Sequence, residues 1–73
     1  MAFRALIYLQ CPSETTASYI GEKELSDRPV RNAEIAFEHR GETVTGRVEV
    51  ILPEDWFSRG AVPMVTVVQN ADA

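Results

Sequence analysis

The 73-residue sequence predicts an all-β fold, a small antiparallel barrel of about five strands with one short helical turn before the last strand. Residues 33–39 and 43–52 alternate apolar and polar side chains, as half-buried strands do. Residues 3–10 and 62–69 are dense in the β-branched and aromatic residues that strands favour. Glycine and proline separate these runs, which indicates turns between short strands.

Composition predicts one folded domain over residues 1–69, followed by a frayed tail at 70–73. Hydrophobic residues make up 45% of the chain and charged residues 25%, which is ordinary for a globular protein and unlike a disordered one. A chain of this length buries only about 60% of the surface that its unfolded form exposes. We therefore expect its stability to depend in part on a partner or on self-association.

The first strand is predicted at residues 3–10, FRALIYLQ, with both faces largely buried. The segment that follows, residues 13–30, gives mixed signals. Residues 16–20 suit a short strand, Ser13 as an N-cap suits a short helix, and residues 22–29 are polar enough for a loop. We interpret the segment as an extended excursion with a short strand near residues 16–20.

The two alternating runs are predicted to form a β-hairpin around a turn at residues 40–41, where the glycine supplies the positive φ that a tight turn needs. In this register Phe37 faces Val44 on the apolar side, and Glu34 faces Arg47 on the polar side. A slip of one residue would turn every side chain of one strand to the opposite face and lose both matches.

Gly46 lies inside the second hairpin strand, where glycine costs conformational entropy and packs nothing. It marks either a sharp bend that lets one long strand serve two faces of a barrel or a plain bulge, and both interpretations stay open. Gly46 also ends a G-x-x-x-x-G frame, but the lysine and the helix of a phosphate-binding loop are missing after it. Regular alternation puts one set of residues on the apolar face: Val44, Gly46, Val48, Val50 and Leu52.

Residues 53–60, PEDWFSRG, predict a single helical turn of the tight three-ten kind, which begins at its proline and stops at its glycine. The last strand follows at residues 62–69. Trp56 and Phe57 are adjacent on the turn and cannot both point the same way. Two interpretations stay open: both belong to the core, or Trp56 plugs the open end of the barrel while Phe57 stays partly exposed.

The titratable residues form no catalytic, metal or cofactor motif. Cys11 is the only cysteine, so it cannot form an internal disulfide, and with one histidine the chain lacks the four ligands of a structural zinc site. His39 lies at the hairpin tip, where we expect it to be solvated. Glu54 and Asp55 complement the dipole of the helical turn. We therefore predict a protein that is not an enzyme and has no cofactor.

The apolar run at residues 2–9 is interrupted by Arg4 and has no cleavage site after it, unlike a signal peptide. No run approaches the ~20 apolar residues that span a bilayer. Together with the lone cysteine, these features predict a soluble cytoplasmic protein without a membrane partner or a small-molecule substrate.

The order of a tight hairpin, a helical turn (PEDWFSRG) and a closing strand (VPMVTVV) resembles that of the Src-homology-3-like small barrels. The resemblance covers residues 30–69 and concerns topology alone. The only tyrosines, Tyr8 and Tyr19, do not match the spacing of the proline-binding groove in the peptide-binding members. The resemblance thus implies a small barrel and assigns no functional residue.

The leading functional prediction is a non-enzymatic interaction module that binds another protein, or itself, through an aromatic patch or a sheet edge. Exposed aromatic side chains beside an arginine are typical of protein interfaces. The residues predicted for this patch are Trp56, Phe57 and Arg59.

Two alternatives stay open, an accessory subunit of a larger enzyme and a small barrel that binds nucleic acid. The formal net charge of −4 disfavours a phosphate backbone unless basic side chains gather on one face. The residues predicted for that face are Arg31, Arg40 and Arg47.

Overall fold

A computed structural model describes residues 3–70, which form a five-stranded curled sheet and one helical turn. Along the chain the elements are β1 (Phe3–Gln10), β2 (Ser18–Leu25), β3 (Glu34–His39), β4 (Glu42–Leu52), α1 (Trp56–Arg59) and β5 (Met64–Gln69). Their order across the sheet is β2-β1-β5-β4-β3, so the first and last strands lie side by side in the middle. The all-β prediction is confirmed.

The structure departs from the predicted antiparallel barrel in two respects. β1 and β5 run parallel, with Leu6 opposite Met64 and Gln10 opposite Val68, whereas the other pairings are antiparallel. The sheet also stays open, because no ladder joins β2 to β3 within residues 3–70. Alternation along a strand specifies which side chains are buried but not the direction of the neighbouring strand, so the sequence pattern could not reveal this pairing.

β2 is longer than the short strand expected near residues 16–20, and it includes residues 22–25, which were expected to be loop. It is an edge strand that pairs with β1 alone, and its two glutamates, Glu22 and Glu24, are exposed to solvent. Arg4 Nη1 and Glu22 Oε2, for example, form an exposed ion pair at 2.9 Å. The polar composition that suggested a loop reflects this edge position.

The predicted hairpin register is confirmed, with Phe37 opposite Val44 and Glu34 opposite Arg47. Both turn residues have positive φ, 54° at Arg40 and 78° at Gly41, which is the conformation of a type I′ turn. The turn chemistry and the matched apolar faces therefore specify the same register.

Asn70 anchors the end of β5 to the hairpin. Its Nδ2 donates hydrogen bonds to Glu34 Oε2 at 3.2 Å and to Thr45 Oγ1 at 3.3 Å, and its N–H donates to the Thr45 carbonyl at 3.1 Å. The first residue of the predicted frayed tail is thus held in place. Residues 71–73 lie outside the described part of the chain.

A β-bulge interrupts β4 at Glu49. Val48 lies opposite Val67, and the next paired residue is Val50, opposite Thr66. Glu49 is therefore an extra residue without a partner on β5, which is the definition of a bulge.

The bulge overturns the faces predicted for the second half of β4, because one extra residue exchanges the two faces of a strand. Val50 and Leu52, predicted for the apolar face, are 38% and 53% exposed. Ile51 packs against the core in their place.

Gly46 is not the site of this bulge, so the bulge interpretation of that glycine is wrong. It pairs with Gln69 in a regular part of the ladder, and β5 passes too close there for a side chain on residue 46. Gly46 is needed for close approach of two strands.

α1 is the predicted single turn, and it ends in a Schellman motif. The N–H of Gly60, at φ 66°, donates to the Phe57 carbonyl at 3.2 Å, and the N–H of Ala61 donates to the Trp56 carbonyl at 3.0 Å. The turn is α-helical instead of three-ten, and the predicted acidic first turn, Glu54 and Asp55, lies just before it. The predicted last strand follows as β5.

The core lies on the concave face of the sheet, where every strand contributes a buried side chain. Its size is modest, as expected for a short chain. The fully or almost fully buried members of this cluster are Ala5, Ile7, Leu25, Ile35, Phe37, Val48, Val65 and Val67.

Candidate functional site

Three aromatic rings meet where the start of β1 lies against α1. We call Phe3, Trp56 and Phe57 the aromatic cluster. The Trp56 and Phe57 ring centroids are 5.5 Å apart at 86°, an edge-to-face arrangement. Phe3 lies 6.4 Å from each of them. Such contacts stabilise the cluster beyond the burial of its surface.

The two aromatics of α1 differ in burial. Trp56 is only 7% exposed, whereas Phe57 is 51% exposed. The guanidinium carbon of Arg28 lies 4.3 Å from the centroid of the Phe57 ring, a cation–π contact. Phe57 is therefore held between Trp56 and Arg28 while about half of its surface stays in solvent.

Arg59, the third residue predicted for the patch, lies on α1 and is paired within its own turn. Its Nε donates to Asp55 Oδ2 at 2.7 Å, an i,i+4 pair of exposed side chains. The structure thus brings Trp56 and Phe57 into one cluster and directs Arg59 toward Asp55.

A groove of about 300 Å³ adjoins the aromatic cluster, between the loop at residues 28–31 and the second half of β4. Trp56 and the buried Pro29 lie among the residues that line it, together with exposed aliphatic side chains. Val30 and Leu52 are 52% and 53% exposed. The full lining is Arg28, Pro29, Val30, Arg31, Val50, Ile51, Leu52, Glu54 and Trp56.

The charge around this groove comes from two arginines and one glutamate. Arg31 Nη1 lies 4.0 Å from Glu54 Oε1, and both side chains are largely exposed. A long, exposed ion pair of this kind contributes little to stability. Arg28 has no carboxylate within 4.0 Å among residues 3–70. The groove therefore carries positive charge in a protein whose net charge is negative.

One side of the groove is a free sheet edge. β3 pairs with β4 only as far as Arg47, whereas β5 pairs with it as far as Leu52. Within the described chain, β4 beyond the bulge thus has a strand neighbour on one side alone. An extended segment could pair with such an edge.

Comparison with known proteins finds no relative. No family model, curated protein or solved structure matches the chain significantly. The candidate site is therefore argued from its geometry alone.

Sequence reasoning missed Arg28, Val30, Val50 and Leu52. The bulge at Glu49 puts the last two on the surface, and nothing in the alternating pattern of residues 43–52 signals it. Arg28 and Val30 sit in a segment without regular structure, so no periodicity could orient them. Arg59 was the arginine predicted for the patch with the two aromatics, but the arginine that contacts Phe57 is Arg28, from a distant part of the chain.

The three arginines proposed for nucleic acid do not form one cluster. Arg31 belongs to the groove, Arg40 to the hairpin turn and Arg47 to β4. At a strand rise of ~3.3 Å per residue, Arg40 and Arg47 stand roughly 20 Å apart along the hairpin.

The remaining titratable groups offer little chemistry. His39 is half-buried instead of solvated, and its Nδ1 is buried without a hydrogen-bond partner among the described residues. A hydrogen bond with Glu14 and burial raise the pKa of Cys11, which weakens its thiol as a nucleophile. Residues 3–70 contain no group of metal-ligating side chains and no helix long and apolar enough to cross a membrane.

Proposed function

We propose that this protein is a non-enzymatic interaction module that binds a protein partner through Phe57 and the adjoining groove. The observation that carries the proposal is the position of Phe57. Its ring is half-exposed, yet it is fixed between Trp56 and Arg28. A rigid aromatic side chain in solvent loses little entropy when a partner covers it, which is why such residues dominate binding at interfaces.

The surroundings of Phe57 support the same function. Its neighbours Trp56 and Arg28 line the groove. The groove adds exposed apolar side chains, Val30 and Leu52, and unpaired backbone groups at the free edge of β4. The order of hairpin, helical turn and last strand also resembles that of Src-homology-3-like barrels, which supports an interaction module by analogy of fold alone. The parallel β1–β5 pairing is a departure from that likeness.

A nucleic-acid module and an accessory enzyme subunit have less support. Of the arginines proposed for phosphate contacts, Arg31 lies in the groove, and Arg40 and Arg47 lie on the hairpin. The hairpin also carries acidic side chains, Glu34, Glu38 and Glu42. No feature of the described residues favours an accessory role over independent binding.

Site-specific photocrosslinking in cells of the native host would test the proposal. A photoreactive phenylalanine at position 57 is expected to give a discrete crosslinked product. The same amino acid at Tyr19 serves as the matched control, since Tyr19 is 54% exposed and lies on β2. Equal or absent crosslinking at the two positions would contradict the proposal.

The mass of the crosslinked product also separates a partner from self-association. A product of twice the chain mass, together with dimers in sedimentation velocity, would show that the partner is a second copy. A folded Trp56→Phe variant that carries the photoreactive residue at position 57 should give the same crosslinked product as the parent. The proposed role of the buried ring is to position residue 57, and a phenylalanine ring can still do this.

A further inference from the structure

The groove combines arginines on its rim with exposed aliphatic side chains on its walls, and this combination selects a class of ligand. Building on the proposed function, we infer that the groove binds an extended peptide segment in which an aspartate or glutamate stands next to an aliphatic residue. The acidic side chain pairs with Arg28 and Arg31, and the aliphatic one packs on Val30 and Leu52.

The position of Arg28 suits it to bind a carboxylate. Its guanidinium carbon lies 4.3 Å from the centroid of the Phe57 ring, and among residues 3–70 it has no carboxylate within 4.0 Å. A ligand carboxylate can therefore bind the guanidinium N–H groups without displacing an ion pair of the protein. Because the contact with Phe57 already restricts Arg28, less side-chain entropy is lost when a ligand pairs with it.

Arg31 is held only weakly by the protein itself. Its contact with Glu54 is 4.0 Å long, and the side chains are 68% and 83% exposed. A ligand carboxylate at direct hydrogen-bond distance can replace Glu54, because a long exposed pair is worth little. Glu54 then repels an acidic ligand, because both carry a negative charge at the rim of the groove.

The walls of the groove and the free edge of β4 favour an extended peptide. The groove offers apolar surface that a small charged ligand would leave exposed to solvent, on Val30, Val50 and Leu52. The unpaired side of residues 49–52 offers backbone donors and acceptors that an extended chain can satisfy.

Nucleic acid fits these features less well than an acidic peptide does. Two arginines can neutralise a single carboxylate, whereas the repeated charges of a phosphate backbone would extend past them into the negative charge of the rest of the chain. The aliphatic walls have no role in binding a phosphate backbone.

A phage-displayed library of random peptides, selected on the purified protein, tests the inference. Affinities of the selected peptides can be followed by the fluorescence of Trp56, the only tryptophan, which lines the groove. The key variant is Arg28→Gln with Arg31→Gln. Its control is Arg40→Gln with Arg47→Gln, which changes the net charge equally at positions outside the groove.

The inference predicts that selected peptides are enriched in aspartate or glutamate beside leucine, isoleucine or valine. Binding should weaken about tenfold or more in the Arg28 and Arg31 variant and stay unchanged in its control. Glu54→Gln should tighten binding about two- to fivefold, because a repelling carboxylate is removed.

Other outcomes separate this inference from the proposed function. Peptides that lose binding in Phe57→Ser with Leu52→Ser, but lack acidic residues and ignore the arginine variant, would overturn the inference and leave the proposed function standing. If no selected peptide depends on Phe57 and Leu52, the inference fails, and crosslinking at position 57 decides the proposed function independently. Tighter binding of a single-stranded oligonucleotide through Arg28 and Arg31 would also overturn it.

Discussion

The carbonyl oxygen of Val68 lies 2.5 Å from the point where a β-carbon on Gly46 would stand, and Val67 Cγ1 lies 2.6 Å from the same point. β4 and β5 approach closely only because residue 46 has no side chain. Gly46→Ala should therefore lower the free energy of unfolding by roughly 1 to 3 kcal/mol, as overpacking of a core does. Urea denaturation measures this change.

The sign of the change in the free energy of unfolding shows whether the alanine side chain at position 46 clashes with β5 or only changes the strand propensity of that position. Without a steric conflict, alanine for glycine in a strand should stabilise the fold by about 0.5 to 1 kcal/mol. Thr43→Ser, at an exposed position of the same strand, is the control and should change stability by about 0.5 kcal/mol or less. A stabilised Gly46→Ala protein would refute the close approach of the two strands.

The bulge at Glu49 makes Ile51, and not Val50, the core residue of this part of β4. Ile51→Thr should lower the free energy of unfolding by roughly 1 to 3 kcal/mol, because a polar atom enters a packed position. Val50→Thr should change it by about 0.5 kcal/mol or less. Thermal or urea unfolding of the two variants measures these changes. If Val50→Thr were the more destabilising of the two, β4 would alternate regularly and the bulge at Glu49 would be refuted.

Arg40 adopts positive φ in the hairpin turn, where most side chains are strained. Arg40→Asn creates an Asn-Gly turn, the preferred sequence for a type I′ turn, and should raise the free energy of unfolding by about 0.5 to 1 kcal/mol. Arg40→Lys removes the guanidinium without relieving the backbone, so its stability should match that of the parent. Equal stability of the asparagine and lysine variants would argue against a strained turn.

His39 should make the protein less stable in mild acid. Burial and the nearby charges of Lys23 and Arg40 lower its pKa from the usual 6.5. The folded state therefore binds fewer protons than the unfolded one, so the free energy of unfolding decreases as the pH falls below about 6.5. Urea unfolding at about pH 7.5 and about pH 5.5 measures the slope above the range where carboxylates titrate.

His39→Gln should remove this pH dependence, since His39 is the only histidine of the chain. Lys23→Gln should reduce it, because one of the charges that oppose protonation is gone. An unchanged slope in His39→Gln would assign the pH dependence to another group.

Much of the fold follows from local signals that agree with one another. Phe37 opposite Val44, the glycine of the turn and the alternating faces all specify one hairpin register. Proline and glycine likewise bracket the single turn of α1, which ends at Gly60 as predicted. Where propensity, periodicity and turn chemistry coincide, sequence reasoning succeeds.

The candidate site could be predicted only in part. Two large aromatics on a short turn indicated that their side chains would diverge, but whether both belong to the core stayed open until the structure showed Phe57 half-exposed. Arg28, Val50 and Leu52 escaped prediction, since each reaches the site through a long-range contact or a change of strand face.

Sequence patterns were sufficient to predict the all-β class, the hairpin with its register and the helical turn. These features depend on side-chain periodicity and on residues close along the chain. Four features could be known only from the folded chain: the parallel pairing of β1 with β5, the edge position of β2, the bulge at Glu49 and the groove near Phe57. Each of these depends on which distant strands meet, and a pattern of apolar and polar residues along one chain does not encode that choice.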